Sequence, residues 1–202
     1  MYNKQKTPED FSPNSPLRKP MFFEHFSGNI QKYSEMVSFF RWYPDLFYDY
    51  LSKQGGKQIF FFRDYQRVML RSMARFITPY YCIPRGGSKT LIDIMYLYHR
   101  AIFYPGSKLG ITSGTKEQIV SMWREKHTEI LRFFPAIKKE ICWENNKKPQ
   151  FSKDTGTVNF KNGSWIMSTP VIQATKGGRR TAISKEESAL IDHTDYRDIV
   201  SP

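Results

Sequence analysis

The chain has 202 residues and a formal net charge of +12, with 40% hydrophobic and 16% aromatic residues. That apolar content excludes a disordered chain, and no stretch is long and apolar enough to span a membrane. Cys82 and Cys142 stand far apart and outside any CxxC, which argues against a disulfide framework or a cysteine zinc site and for a reducing compartment. The basic balance favours a polyanionic partner bound through phosphate neutralisation and counterion release.

Residues 1–28 read as a disordered or extended arm, because the stretch from Met1 to Pro20 is rich in Ser, Pro, Asn and Lys and carries no signal-peptide core. Residues 29–57 read as a helical N-terminal segment. Apolar positions from Ile30 to Gln54 recur at helical spacing, Pro44 divides the run into two helices, and Gly55-Gly56 ends it. Residues 58–202 read as a further domain. A β-like run covers Gln58 to Phe62, and a helix follows over about Asp64 to Ile77.

Next comes an apolar stretch, Pro79 to Ile83, expected as a strand. It enters the loop Cys82-Ile83-Pro84-Arg85-Gly86-Gly87-Ser88-Lys89-Thr90, and a helix over Leu91 to Phe103 leaves it. Lys108 to Ser113 is a second strand, and Gly114 to Phe134 a helix capped by Ser113 or Thr115. Strand, helix, strand, helix in order predicts a parallel sheet with crossover helices. Asn145 to Pro149 is a polar turn. Phe151 to Phe160 and Ser164 to Thr169 read as strands joined by the turn Lys161-Asn162-Gly163. Gly177-Gly178-Arg179-Arg180 is a basic glycine loop, and Thr181 to Ser184 a β-like run leading to Glu186-Glu187.

Strand, glycine loop with Lys-Thr, and helix describe a phosphate-binding loop. Backbone N–H groups of Gly86, Gly87 and Ser88 can converge on phosphate oxygens, because no large side chain intrudes. Lys89 would reach the outer phosphates as a point charge, and the Thr90 hydroxyl would hold Mg²⁺. Arg85 can offset charge that develops on a γ-phosphate. Gln66, just inside the preceding helix, carries an amide able both to donate to and to accept from an adenine edge. Glu186 stands where a strand-end metal carboxylate is needed, and Glu187 where a second carboxylate would orient the attacking water. Two positions depart from the usual loop and acidic pattern. Ser88 replaces the glycine before Lys89, and Glu186 replaces an aspartate.

The ordered set resembles the N-terminal ATPase portion of the large terminase subunit of tailed bacteriophages, over residues 40–195. Trp42-Tyr43-Pro44-Asp45-Leu46-Phe47 resembles the segment ahead of that family's ATPase core, and Phe62-Arg63-Asp64-Tyr65-Gln66 its adenine motif. Pro84-Arg85-Gly86-Gly87-Ser88-Lys89-Thr90 resembles its Walker A loop, Ile111-Thr112-Ser113-Gly114-Thr115-Lys116-Glu117-Gln118 the strand–helix motif after it, and Glu186-Glu187 its Walker B acids. The resemblance implies an α/β P-loop NTPase core, mainly parallel and flanked by helices, that binds ATP and Mg²⁺. It implies a motor driving double-stranded DNA into a prohead in the host cytoplasm, absent from the mature virion. The partners it implies are the portal protein, the small terminase subunit and further copies in a ring. The family's coupling motif and C-terminal nuclease domain are not found after Glu187, so the core is expected to be incomplete and without nuclease activity. A helicase-like translocase fragment is an alternative, although Glu186-Glu187-Ser188-Ala189 does not match its acidic box. A catalytically inactive fragment binding DNA or a partner by charge is another.

Overall fold

The computed structural model describes residues 29–54, 57–113, 115–144, 147–168 and 180–186. The expectations for the arm over 1–28, for Gly55-Gly56, Gly177 to Arg179 and Glu187, and for the chain beyond Glu187 fall outside these residues.

Asn29 accepts a hydrogen bond from the Lys32 N–H at 3.0 Å and starts α1 (Ile30–Trp42). Pro44, which has no N–H to give, stops that helix and opens α2 (Pro44–Leu51), dividing the run as its position requires. The expected strand over Gln58 to Phe62 shrinks to a small antiparallel pair, β1 (Lys53–Gln54) and β2 (Lys57–Gln58). Helix α3 (Asp64–Arg75) lies against α2. Arg71 and Arg67 converge there on the carboxylate of Asp45, which is wholly buried.

The centre of the molecule is α4 (Lys89–Phe103), buried along almost its whole length from Leu91 to Phe103. A helix apolar all round needs neighbours on every side, and α4 has them. Tyr48 of α2 donates to the Met95 carbonyl at 2.6 Å, and Phe47 packs edge-on to Phe103. The last carbonyls of α4, which no helical N–H can reach, are taken by side chains. Arg41 donates twice to Phe103 O at 3.1 and 2.7 Å, and Asn162 donates to Ala101 O and Ile102 O at 2.8 and 3.1 Å.

The rest is a five-stranded mixed sheet flanked by helices. Its strands are β3 (Lys108–Thr112), β4 (Gln150–Phe151), β5 (Gly156–Asn159), β6 (Trp165–Ser168) and β7 (Ala182–Lys185), in the spatial order β4-β5-β6-β3-β7. Between β3 and β4 run α5 (Lys116–Phe133), capped by Thr115, and a 3₁₀ turn (Pro135–Lys139). β3 pairs in parallel with both β6 and β7, while β4-β5 and β5-β6 are antiparallel. The expectation of a mainly parallel sheet therefore holds only for three strands. The predicted run Phe151 to Phe160 is interrupted by a tight turn at Ser152–Thr155, and the hairpin at Lys161 to Gly163 forms as expected. Register places Leu109, Ile111, Val158 and Ile166, all buried, on the face that meets α4 and α5, with Ala182 and Ser184 of β7 beside them. No helix of the described residues is long and apolar enough to cross a membrane.

A further expectation fails. Pro79 to Ile83 is not a strand. The run does alternate as a strand would, with Tyr81 and Ile83 packed on the core and Tyr80 and Cys82 exposed. Alternation describes only which side each residue faces, however. A strand also needs a neighbour for its backbone groups, and none of the described residues pairs with this segment.

Candidate active site

Parallel strands end on one side of a sheet, and the crevice beyond their carboxyl ends is where open α/β folds bind ligands. In this protein β3 ends at Thr112 and β7 at Lys185. The Glu186 N–H extends the ladder by donating to Thr112 O at 2.9 Å. The glycine loop and the first turn of α4 lie at the same end, held there by Ser184 Oγ, which donates to Asp93 Oδ2 at 2.9 Å.

The loop has a defined shape. The Gly87 N–H donates to Pro84 O at 3.2 Å, closing a turn over Arg85 and Gly86, and Gly86 takes a φ of +80° that glycine adopts without strain. A Cβ on Gly87 would lie 2.3 Å from Cγ2 of Ile83, so the loop closes tightly on the preceding apolar segment. Tyr65 of α3 reaches over and donates to Gly87 O at 3.1 Å.

Ser88 is the unusual residue. It is the only non-glycine among the described residues with positive φ (φ 55°, ψ 26°), and it stands at the N-cap of α4 without a side-chain cap. A left-handed residue followed by a right-handed one turns consecutive N–H groups toward a common point, an anion-binding nest. Ser88 and Lys89 form such a pair, and the uncapped helix end adds its partial positive charge. A side chain in this conformation costs on the order of 1 kcal/mol. Ser88→Gly is expected to raise stability by roughly 0.5 kcal/mol or less, once the greater freedom of glycine in the unfolded chain is subtracted. Urea unfolding of both proteins measures it, and a destabilised variant would contradict the strain at this position.

The acidic end of the site holds two carboxylates. Glu186 is 3% exposed and its Oε1 has no hydrogen-bond partner. Asp93 of α4 lies against it. Burial pushes the Asp93 carboxyl up to about 6, opposed by Ser184, Glu186 and Lys89. Burial and the Asp93 charge push Glu186 up to about 7, opposed by the Thr90 hydroxyl and by Lys89. Two carboxylates this close cannot both ionise cheaply out of water, so the pair holds on to a proton near neutrality.

The residues expected from the sequence are thus brought together in part. Thr90, Lys89 and Glu186 meet, and Gly86, Gly87 and Ser88 form the turn leading to them. Arg85 is exposed on that turn. Gln66 is 6% exposed, and its Oε1 accepts the Arg63 N–H at 2.9 Å, which caps α3. Glu187 lies outside the described residues. Asp93 and Ser184 are functional candidates that motif reading passes over. The signal for Asp93 was its spacing, since it falls one helical turn after Lys89 and Thr90, on the same side of the helix. Among the described residues no group of three His, Cys, Asp or Glu could hold a metal unaided. The donor set still suits Mg²⁺, which keeps several waters and takes one or two carboxylates with phosphate oxygens. Comparison with known proteins found no family that matches the chain and no curated protein similar to it.

Proposed function

We propose that this chain is a P-loop ATPase, and that it serves as the ATP-hydrolysing portion of a viral DNA-packaging motor. The observation that carries the nucleotide site is the meeting of Glu186, at the end of β7, with Thr90 and Lys89 at the uncapped start of α4. The motor role rests on the ordered motifs from Trp42 to Glu187 and on the net charge of +12, which suits a grip on the DNA backbone without regard to base sequence.

In this reading the N–H groups of Ser88, Lys89 and Thr90 receive the phosphate oxygens, and Lys89 neutralises the outer phosphates. Thr90 and Glu186 hold Mg²⁺, which when bound screens the phosphate charge and fixes its orientation. Glu187 orients the attacking water, and Arg85 offsets charge that grows on the γ-phosphate. The Gln66 carbonyl is engaged with Arg63, so its amide NH₂ is the group left to meet adenine. Double-stranded DNA is the substrate moved. A ring of copies on the portal, the small terminase subunit and the host cytoplasm follow from the same resemblance.

The test is ATP binding and ATP turnover, with and without double-stranded DNA, in the parent and in Lys89→Ala. Turnover in the parent that drops to background in Lys89→Ala supports the site. Equal rates in the two proteins would refute it.

A further inference from the structure

The acidic end of this crevice holds more than the proposed reaction requires. One strand-end carboxylate and one hydroxyl suffice to hold Mg²⁺ against a bound nucleotide, because the phosphates supply further oxygens. In this protein a second carboxylate, Asp93, comes from α4 and is fixed by the Ser184 hydroxyl at 2.9 Å. A second hydroxyl also lies at the site. In β3 and β7, Ile111 pairs with Ser184 and Thr112 with Lys185, and Glu186 continues the ladder. Strand alternation then puts Ser113 and Glu186 on the side of the sheet where Ser184 meets Asp93. Ser113 is 4% exposed, and its Oγ, like Glu186 Oε1, has no hydrogen-bond partner. Buried polar atoms are rarely left unbonded unless a water, ion or ligand completes them.

We propose that Asp93 is a second metal carboxylate, and that Asp93 and Glu186, with the hydroxyls of Thr90 and Ser113, hold a divalent cation in the protein before any nucleotide arrives. This deepens the nucleotide-site reading and rests on it for the identity of the crevice. The cation is hard and small, because every donor is an oxygen. Its charge would displace the proton the pair otherwise shares and compensate both carboxylates, of which Lys89 offsets one. Helix α4 would then carry metal ligands on successive positions of one face, Thr90 and Asp93, so the cation would tie the start of α4 to the end of β7. The departure at Glu186 also fits, because the longer side chain comes from the strand end while the shorter aspartate comes from the helix.

The experiment is titration of the nucleotide-free protein with Mn²⁺, a spectroscopic substitute for Mg²⁺, followed by electron paramagnetic resonance. Displacement by Mg²⁺ and the melting temperature are read alongside. The parent is expected to show one saturable site that Mg²⁺ competes for. Asp93→Asn, which keeps the size and the Ser184 contact, is expected to weaken it by about tenfold or more. Asp93→Glu is expected to restore most of it, and Ser184→Ala to weaken it only a few-fold. Absence of a saturable site in the parent, or equal affinity in Asp93→Asn, overturns the proposal. ATP binding measured on the same samples separates the two readings. Mn²⁺ binding lost in Asp93→Asn while ATP still binds the parent supports both. A parent that binds ATP but no Mn²⁺ alone overturns only the role of Asp93. A parent that binds Mn²⁺ through Asp93 but no ATP leaves a metal site and overturns the ATPase.

Discussion

Asp45→Ala is expected to lower the unfolding free energy by about 3 kcal/mol, which for a chain of this size is a fall in melting temperature of roughly 6 to 12 °C. Asp45 is fully buried. It takes Arg71 in a two-pronged bond, Nε to Oδ1 at 2.9 Å and Nη2 to Oδ2 at 2.7 Å, and Arg67 Nη1 at 3.2 Å. Burial by itself would raise its pKa, but the bonds and charges of Arg71 and Arg67 outweigh burial and hold the carboxyl below its usual range. A single buried anion thus joins α2 to α3 and, as the second residue of α2, also faces that helix's positive end. Removing it leaves Arg67 with Asp49 and takes from Arg71 the carboxylate it bonds. Asp49 is the internal control. It bonds the same Arg67 at 2.5 Å but is partly open to water, so Asp49→Ala is expected to cost about 1 kcal/mol or less. Equal losses from the two substitutions would show that burial does not set the difference. The linkage has a definite sign. A depressed carboxylate contributes its stability above the unfolded-state value and loses it only as pH falls below about 4.

The second large effect lies at higher pH and has the opposite origin. His99 is completely buried between Phe47, Phe103 and Tyr96, and burial pushes its pKa down to about 4 despite the Nε2–H bond to Phe40 O at 2.8 Å. Burial likewise lowers His127 to about 4, with its Nδ1 against the Tyr98 hydroxyl at 2.5 Å. Unfolded, both would take a proton near 6.5, and folded they cannot until about 4. Stability is therefore full above 6.5 and declines as pH falls toward 4, by about 3 kcal/mol for each histidine. Asp93 and Glu186 act in the other direction, since their raised values favour the protonated folded state at low pH and withdraw stability as pH rises toward 7. Urea unfolding from pH 4.5 to 8 separates the two. His99→Leu is expected to remove about half of the acid loss, and Asp93→Asn to raise stability at pH 8 in the absence of metal. An acid limb unchanged in His99→Leu would place the titration elsewhere.

How much of this was legible in the chain depends on the range of the interaction. Pro44 splitting two helices, Thr115 as one of two candidate caps of α5, and the hairpin turn at Lys161-Asn162-Gly163 were readable, because each is settled by groups within four residues. Ser88 was readable as a departure, but its left-handed backbone was not, since that conformation is imposed by the turn before it and the helix after it. Gln66 looked free to read a base, and the folded chain uses its carbonyl to close the first turn of α3.

Sequence alone determined the helices, the placing of Lys89 and Thr90 at a helix start, and the placing of Glu186 at a strand end. These follow from periodicity, from residues that lack an N–H or a side chain, and from short-range capping. Only the tertiary structure decided that Pro79 to Ile83 has strand alternation but no strand, because pairing needs a neighbour that no local pattern supplies. Only it decided that Asp93 and Glu186, ninety-three positions apart, share one buried place with Thr90 and Lys89. Charge in a sequence has no dielectric. Burial between α4 and the end of β7 is what couples those two carboxylates.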